Sequence, residues 1–388
     1  MRIVMVNKYA RVVGGSDVHC LELTEGLRER GHEVMFLSTA DQGNLEQNGS
    51  FIEPTVTNST RAGVRGVGAA VVAGRALWNA QAAKAMKELV SSFRPDIVHA
   101  HKLYPQLSVA PLVVASGLGL PVVQTVHDYE FVSASPLDAT GNWRDRDEER
   151  FAYRSLNTLL FGSKHLLHSP RVDHWITVSR YAGDAHREHG IQSSVLAHFT
   201  REVPGEQPEF GDREGVLFVG RLSDEKGLRH VVSLAGKLSS DYPIMVAGDG
   251  PLVGEVQEAT QASPNLTYLG KLNRVAVSRQ LASARIVIIP SLCQEPAGLV
   301  ALEAMAVGTP LVVYDKGGLA EYVRDAAAGM VVSAATKPMA DAIASLYDDR
   351  QTWEGFSAAG LEASRRNHSR SVYLDRLEGI YSELTRRS

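Results

Sequence analysis

Short runs of apolar, often β-branched residues alternate along the whole chain with longer segments that repeat apolar residues at helical spacing. The runs in the first half are RIVMVN (2–7), EVMFLST (33–39), PDIVHAH (95–101), PVVQTVHD (121–128), DHWITVS (173–179) and SVLAHF (194–199). The runs in the second half are VLFVG (216–220), PIMVAGDG (243–250), LTYLG (266–270), IVIIPS (286–291), PLVVYD (310–315) and GMVV (329–332). Continuously apolar strands separated by helices predict parallel sheets that helices cover on both faces.

One polar stretch, REVPGEQPEFGDREG (201–215), interrupts this rhythm and is typical of an interdomain linker. A chain of 388 residues also exceeds what one ordinary core holds. We therefore predict an α/β protein of two tandem doubly wound parallel-sheet (Rossmann-like) domains, residues 1–200 and 216–368, that face each other across a cleft. Ligands of open α/β sheets bind beyond the carboxyl ends of the strands, so chemistry is expected in those loops.

Composition narrows the class of partner and the compartment. The net charge of −4 lacks the basic excess that nucleic acid binding needs, so no nucleic acid partner is expected. Two cysteines without metal spacing predict neither a disulfide framework nor a metal site and favour a reducing cytoplasm. No signal peptide or bilayer-length apolar run is visible. The segment NTLLFGSKHLLH (157–168) is either an ordinary amphipathic helix or a peripheral membrane contact.

The loop after VLFVG is the first candidate for chemistry. The strand ends at Gly220, and RLSDEKG then places Arg221 and Lys226 just before a helix over 227–238. A guanidinium, an ammonium and a helix N-terminus together suit a diphosphate. The alternative is a solvated loop in which the two cations pair with Asp224 and Glu225.

The segment EPAGLVALEAMAVGTP (295–310) places a carboxylate inside an apolar helix. Pro296 holds Glu295 in extended backbone, which puts that glutamate in the strand-end loop. The helix is expected to start near Gly298 and stop at Gly308, so that Glu303 lies in its second turn. A buried carboxylate costs several kcal/mol unless it is satisfied. Its partner is either a basic side chain, water reached at the surface, or the hydroxyl groups of a ligand.

The first domain contributes weaker signals. Gly14 and Gly15 precede a helix, as in loops that bring backbone N–H groups to a phosphate, although a plain loop has the same pattern. Several polar residues end strands, each of which is more often structural than functional: His99, His101, Lys102, His127 and Asp128. No nicotinamide or P-loop motif exists, since GDGPLVG (248–254) has the wrong spacing. Asp145 and Asp147 have the D-x-D form of a metal-sugar site but lie in a charged run typical of a solvated helix start.

The ordered set GGSDVH (14–19), VHD (126–128), VGRLSDEKG (219–227), GDGP (248–251) and the E-x7-E segment (295–303) closely resembles family 4 of the glycosyltransferases, which have the GT-B fold. The resemblance implies a retaining hexosyltransferase that uses a UDP- or GDP-sugar as co-substrate and needs neither metal nor cofactor. Arg221 and Lys226 match the positions that hold the diphosphate. Glu295 matches the glutamate on the donor sugar, and Glu303 the glutamate on the ribose.

The same resemblance implies further roles. His127 matches a histidine near the reaction centre and joins Arg221, Lys226 and Glu295 as a catalytic candidate. The implied donor-binding residues, including the loop that closes over the donor, are Gly14, Gly15, Gly220, Gly270, Leu272, Gly298, Leu299 and Glu303. The first domain would bind the acceptor, for which the candidates are Tyr9, Arg11, His101, Tyr104 and Asp128. The closing helix, residues 369–388, would pack back on the first domain.

Three departures from the family pattern affect what can be carried over. An Asn-Gly turn is common after the last strand of the first domain, where this chain has AHFTREVP (197–204). Ala297 replaces a larger residue in the sugar pocket, and the cysteines that often follow an HDY segment are missing. A sugar-nucleotide isomerase, a phosphorylase or a non-catalytic sugar-binding protein are the alternatives. Small-molecule, glycan and lipid-linked acceptors all remain open.

Overall fold

The computed structural model describes residues 1–55, 67–133, 158–200 and 207–387. Two sequence predictions therefore lie outside the described residues, namely the D-x-D pair at Asp145 and Asp147 and the first part, 201–206, of the linker. The described residues form two parallel sheets, one in each half of the chain, with helices packed on both faces. This is the two-sheet α/β architecture expected from the sequence.

The first sheet has the strand order β3-β2-β1-β4-β5-β6-β7, and all its neighbouring strands run parallel. Its strands are β1 (Arg2–Val6), β2 (Glu33–Thr39), β3 (Gly49–Ile52), β4 (Ile97–Ala100), β5 (Val122–Val126), β6 (His174–Thr177) and β7 (Ser193–Val195). Its helices are α1 (Gly15–Glu29), α2 (Val67–Leu77), α3 (Ala80–Phe93), α4 (Ala110–Gly117) and α5 (Arg180–Arg187). Asn79 and Ser179 cap α3 and α5 by accepting hydrogen bonds from backbone N–H groups of their first turns.

The second sheet has the order β10-β9-β8-β11-β12-β13 and is also parallel. Its strands are β8 (Val216–Arg221), β9 (Ile244–Asp249), β10 (Leu266–Gly270), β11 (Ile286–Ile289), β12 (Leu311–Tyr314) and β13 (Gly329–Val332). The helices around it are α6 (Leu228–Ala235), α7 (Val253–Ala262), α8 (Arg274–Ser283), α9 (Leu299–Ala306), α10 (Gly317–Ala326), α11 (Thr336–Tyr347) and α12 (Arg350–Asn367). The central strands are buried along most of their length, as their continuous apolar runs require.

The last helix, α13 (Arg370–Arg387), packs against the first sheet rather than the second. Its Tyr373, Leu374, Leu377 and Tyr381 join one apolar cluster with residues of α1, β1 and β2. The hydroxyl of Tyr381 lies 2.6 Å from Nδ1 of His99 at the end of β4. The carboxyl end of the chain is thus anchored to the half from which the chain starts.

Two strands differ from their prediction. SVLAHF forms a strand only as far as Val195, because Leu196–Phe199 leave the sheet toward the second domain. The strand β3 was missed, since GSFI is short and starts on a glycine. Gly49 is needed there because a Cβ atom at this position would lie 2.0 Å from the carbonyl oxygen of Phe36.

Among the described residues, none of the helices is long and apolar enough to cross a bilayer.

Candidate functional site

A cleft cavity of about 400 Å³ lies between the two sheets and is lined from both sides. The first domain contributes Gly14, Gly15, Ser16, Lys102, His127 and His198. The second contributes Phe218, Val219, Gly220, Arg221, Lys226, Ile289, Ser291, Glu295, Pro296, Ala297, Gly298, Leu299, Val300 and Leu319. All four catalytic candidates from the sequence therefore face one space, together with five of the eight donor-binding candidates.

The strand orders explain why these residues meet. Each sheet reverses its order once, between β1 and β4 in the first and between β8 and β11 in the second. The loops that diverge at such a switch point leave a crevice at the carboxyl ends of the strands. Gly14 and Lys102 follow β1 and β4, while Arg221 and Glu295 end or follow β8 and β11. The two crevices face each other.

The loop after β8 presents two cations. Arg221, the last residue of β8, has a side chain that is 67% exposed, and its nearest carboxylate among the described residues is Glu225 at 4.0 Å. The pairing expected for a solvated loop is present only in part: Arg221 faces Glu225, whereas Asp224 bonds to Arg229 and Lys226 pairs with Glu295 at the cavity. The guanidinium of Arg221 is left at the cleft with only a distant partner.

Lys226 and Glu295 form an ion pair across the switch point of the second sheet. Nζ of Lys226 donates to Oε1 of Glu295 over 2.5 Å, and the hydroxyl of Ser291 donates to the same oxygen over 2.5 Å. Burial disfavours the ammonium, but the Glu295 carboxylate outweighs it and raises the pKa of Lys226. The lysine is therefore fully charged at neutral pH and held within the cavity wall.

Two helix N-termini also point at the cavity. Gly298 caps α9, and Leu299 and Val300 form its first turn, while Gly14 to Ser16 begin α1 on the opposite wall. The walls touch at one point, where a Cβ atom on Gly15 would lie 2.8 Å from Cδ1 of Leu299. Unpaired N–H groups and the positive dipole ends of two helices favour an anion between them.

The β1–α1 loop is held in place by a buried polar network. The side-chain amide of Asn7 donates to Oδ1 of Asp17 over 3.0 Å, and Oδ2 of Asp17 accepts the Gly14 N–H over 3.0 Å. Asn7 also accepts the backbone N–H of Lys102 over 3.1 Å. The network ties together the two loops at the switch point of the first sheet, so both present a fixed face to the cleft.

Glu303 lies outside the cavity wall, in the second turn of α9 as expected. Its side chain is 29% exposed, and a guanidinium nitrogen of Arg274 lies 4.0 Å from its Oε1. Burial raises the pKa of Glu303, and the charge of Arg274 lowers it in part. Of the alternatives drawn from the sequence, this structure shows two, a basic partner and partial access to solvent.

His127 is the middle member of a row of buried imidazoles. Its Nε2 lies 2.8 Å from Nδ1 of His101, and its Nδ1 lies 3.1 Å from Nε2 of His198. Burial lowers the pKa of all three rings, so they are neutral at neutral pH. Both ring nitrogens of His127 thus lie within hydrogen-bond distance of neighbouring histidines, while the residue lines the cleft.

The neutral rings must share one tautomer. If His101 donates from Nδ1 to Nε2 of His127, then His127 donates from Nδ1 to His198, and all three carry their proton on Nδ1. The reverse arrangement places all three protons on Nε2. In both arrangements Nε2 of His101 and Nδ1 of His198 have no hydrogen-bond partner and are buried.

The remaining predicted residues lie apart from the cavity. Gly270 and Leu272 are in the β10–α8 segment and do not line it. His101 and Tyr104 are 1% and 6% exposed, so neither presents a surface to an acceptor. The hydroxyl of Tyr104 instead lies 3.3 Å from Nδ1 of His168, and the ammonium of Lys164 lies over its ring. Neither His101 nor Tyr104 lines the cavity, so their role in an acceptor site stays a prediction that this geometry does not support.

Asp128, Tyr9 and Arg11 remain at the surface. Asp128 pairs with Lys102 at 2.7 Å. Burial raises the pKa of the Asp128 carboxyl, but the charge of Lys102 outweighs burial and holds that pKa well below its ordinary value. Arg11 lies over the ring of Tyr9 and pairs with Asp41 at 3.0 Å. Lys102, and through it Asp128, borders the cavity, whereas Tyr9 and Arg11 do not line it.

The sequence singled out Lys102 only as a polar residue at a strand end, and it did not single out three further residues that line the cavity, His198, Ser291 and Leu319. Lys102 and Ser291 follow strands β4 and β11, a position that is itself a signal. His198 lies in AHFTREVP, where the chain departs from the family pattern. In the described part of the chain, no three His, Cys, Asp or Glu side chains converge as metal ligands do.

Comparisons with known proteins agree with this architecture. The family described as Glycosyltransferase Family 4 matches residues 13–198, and the one described as Glycosyl transferases group 1 matches residues 200–362. Glycogen synthase from Mycobacterium tuberculosis is 30% identical over 392 residues, which cover 90% of this chain and 86% of that protein.

Solved structures superpose over the whole chain. Sucrose-phosphate synthase from Thermosynechococcus elongatus has a TM-score of 0.74 at 19% identity, and the superposition covers 100% of both chains. Anabaena HepE in complex with UDP has a TM-score of 0.68 at 16% identity, over 99% of this chain and 100% of that chain. At such identities the likeness concerns the fold, in which two parallel-sheet domains enclose a cleft.

Proposed function

The chain belongs to the family 4 glycosyltransferases of GT-B fold, and we propose that it moves a hexose-type sugar from a UDP- or GDP-sugar to an acceptor hydroxyl. The transfer retains the anomeric configuration and needs no metal ion. One observation carries this proposal. Two cations and two helix N-termini converge on a cleft that lies at both topological switch points.

The difficult charge in such a transfer develops on the departing diphosphate. Arg221 offers a planar fork of donors and Lys226 a point charge, and both lie in one wall beside the N-terminus of α9. Charge-assisted hydrogen bonds are worth about 1.5–3 kcal/mol each. Two of them supply about 3–6 kcal/mol, on the order of 10² to 10⁴ in rate, if they form fully only in the transition state.

Glu295 fits a role on the donor sugar. It already holds two donors, Lys226 and Ser291, on one oxygen, so its other oxygen can accept sugar hydroxyls. A diphosphate beside Lys226 would compete for the ammonium and loosen the ion pair as the donor binds. Glu303 lies farther along α9 and fits the ribose hydroxyls, which replace water around its partly exposed carboxylate.

The first domain provides the acceptor side. His127, His198 and Lys102 face the cleft from there, opposite the diphosphate cradle. We assign no nucleophile, because Glu295 is bound to Lys226 and no carboxylate is among the described first-domain residues that line the cavity. The acceptor hydroxyl attacks from the face that the diphosphate leaves, and its proton passes to the departing phosphate oxygen. That route gives retention.

The nucleotide and acceptor are inferred at the level of class. HepE was solved with UDP, which supports a uridine donor for a chain of this fold. The two proteins named above are a glycogen synthase and a sucrose-phosphate synthase, so proteins of this fold act on polymeric as well as small acceptors. An acceptor with free sugar-type hydroxyls is therefore the class to test first.

A thermal-shift panel of nucleotides followed by NMR tests the proposal. UDP or GDP should raise the unfolding temperature. With an acceptor that has free sugar-type hydroxyls, the matching nucleotide-sugar should then yield a new glycosidic bond of unchanged anomeric configuration, also in the presence of EDTA. Product from donor alone would favour the isomerase, and inverted product or an EDTA-sensitive rate would contradict the proposed mechanism. Binding of free sugar without any nucleotide would contradict transfer itself.

A further inference from the structure

An ion triad crosses the domain boundary beside Glu303. Arg274, the first residue of α8 in the second domain, pairs through one terminal nitrogen with Glu22 of α1 in the first domain. Its other terminal nitrogen lies 4.0 Å from Oε1 of Glu303. One guanidinium thus serves two carboxylates from different domains, and one of the two is the glutamate proposed to bind ribose.

The members of the triad are held by the surrounding structure. Asn273 caps α8 by accepting the Ala276 N–H over 3.0 Å, which fixes the backbone from which Arg274 projects. The side chain of Glu22 is only 6% exposed, so its charge depends on a cationic partner. The guanidinium is 48% exposed and borders a cavity of about 320 Å³ that Glu22 also lines. It is the most exposed member of the triad.

The two neighbours act on Glu303 in opposite senses. Burial raises the pKa of this carboxyl, the positive charge of Arg274 lowers it, and the negative charge of Glu22 raises it again. These are the charged groups that face Glu303, from α8 and α1. Both oxygens of an ionised carboxylate can accept a hydrogen bond from a ribose hydroxyl. Once the carboxyl is protonated, one oxygen carries the proton and the group accepts fewer hydrogen bonds.

We propose that Arg274, steered by Glu22, is a positioning residue that keeps Glu303 ionised and turned toward the ribose of the donor nucleotide. The inference rests on the proposed function, since it assumes that Glu303 binds ribose. Its new content is that a residue of the first domain, Glu22, tunes nucleotide affinity in the second without touching the nucleotide. The triad forms only when α1 lies against α8, so it also couples nucleotide binding to domain contact.

Calorimetric titration of the full chain with UDP and with GDP, between about pH 5 and about pH 8, tests this proposal. Each variant's dissociation constant is divided by the wild-type value at the same pH, which cancels the titration of the phosphate. The test variants are Arg274→Gln, Glu22→Gln and Glu303→Gln. The matched control is Arg229→Gln, which removes a similarly exposed arginine that pairs with Asp224 and Glu255 inside one domain.

At neutral pH, Arg274→Gln should weaken nucleotide binding by about twofold to fivefold, the effect of one partly exposed ion pair. As the pH falls, this variant should start to lose nucleotide affinity at a higher pH than the wild type does, because the cation that stabilises the Glu303 carboxylate is gone. Glu22→Gln should shift the same loss to lower pH. Shifts in opposite directions distinguish tuning of Glu303 from general loosening of the domains, which would act alike in both variants.

The outcomes separate this inference from the function on which it rests. If neither UDP nor GDP binds the wild type, the proposed function fails and the inference fails with it. If the wild type binds but Glu303→Gln binds equally well, the ribose role of Glu303 fails and takes the inference with it, while the proposed function stands. If Glu303→Gln weakens binding while Arg274→Gln matches Arg229→Gln, the inference alone is overturned. Shifts of the same sign in Arg274→Gln and Glu22→Gln would also overturn it.

Discussion

At the scale of single residues, the two cations after β8 differ in how they are held. Lys226 is locked onto Glu295 at 2.5 Å, whereas Arg221 is two-thirds exposed and has its nearest carboxylate at 4.0 Å. A diphosphate that binds Lys226 therefore has to replace Glu295 as its partner. At Arg221 it only has to fix the position of an exposed side chain. Loss of either should act on the chemical step more than on folding.

We expect Lys226→Ala and Arg221→Ala each to reduce kcat/KM by about tenfold to several hundredfold, the range for one charge-assisted hydrogen bond realised in the transition state. Steady-state transfer assays measure this loss. The control is Lys237→Ala, which removes an exposed lysine near the end of α6 and should leave turnover unchanged. Wild-type rates in both cleft variants would remove these residues from the mechanism.

Residue patterns made part of the site predictable. Glu295 and Glu303 stand out in an apolar segment, and Arg221 and Lys226 flank a strand end, so each carries a local signal. His198 and Arg274 carry none, because their importance arises from partners that are far away in sequence. Arg274 meets Glu22 only after two domains have folded and come together, and no single-segment pattern encodes that encounter.

At the scale of elements, the turn between β8 and α6 sets the direction of Lys226. Gly227 has φ of 73°, in the left-handed region, and a Cβ atom there would lie 1.9 Å from the carbonyl oxygen of Pro290 on the neighbouring loop. Only glycine permits this close approach, which brings the loops after β8 and β11 together. The Lys226–Glu295 pair depends on it.

Gly227→Ala should therefore destabilise the protein by about 2 kcal/mol or more, combining left-handed strain with a backbone clash. Chemical denaturation measures the change, and nucleotide affinity should fall in the same variant. Gly254→Ala is the control, since this exposed glycine in α7 has nothing within 4 Å of the added Cβ atom. There the alanine should be neutral or stabilise by up to about 1 kcal/mol.

The elements themselves were largely predictable, because continuously apolar strands carry a strong signal. The exceptions are instructive. β3 is a short edge strand whose register is set by Gly49 against Phe36, and the strand at 194–199 stops at Val195 because the chain must leave the sheet for the second domain. Both depend on neighbours in space rather than on local pattern.

At the scale of the whole molecule, hydrogen bonds tie the two domains together in addition to the ion triad. The hydroxyl of Ser179 donates to the carbonyl of Pro296 over 2.6 Å, and Tyr322 donates to the carbonyl of Val178. The backbone N–H of Thr200 donates to the carbonyl of His368 over 2.9 Å where the chain returns to the first domain. The first of these bonds joins the loop that carries Glu295 to the first domain, so domain contact and donor binding are expected to be linked.

Buried histidines make the stability of the molecule depend on pH. Burial lowers the pKa of His99 and of His168 to about 3, while an unfolded histidine titrates near 6.5. The unfolded state therefore binds more protons below that value. The stabilising effect of keeping these rings neutral is complete above about pH 6.5, and is lost as pH falls toward 3, by up to about 1.4 kcal/mol per pH unit per ring.

Denaturation curves between about pH 7.5 and about pH 4.5 should show this loss. His168→Gln should flatten the slope of unfolding free energy against pH, because the replacement cannot titrate. His189→Gln, at an exposed position, should leave the slope as it is in the wild type. Equal slopes for His168→Gln and the wild type would contradict the assignment of a buried, neutral ring.

The most direct measurement is a crystal structure of the protein with UDP or GDP bound. The account predicts the diphosphate between the N-terminus of α9 and the side chains of Arg221 and Lys226, within hydrogen-bond distance of both, with the ribose hydroxyls on Glu303. A nucleotide bound elsewhere, or one whose phosphates do not touch either cation, would contradict the account.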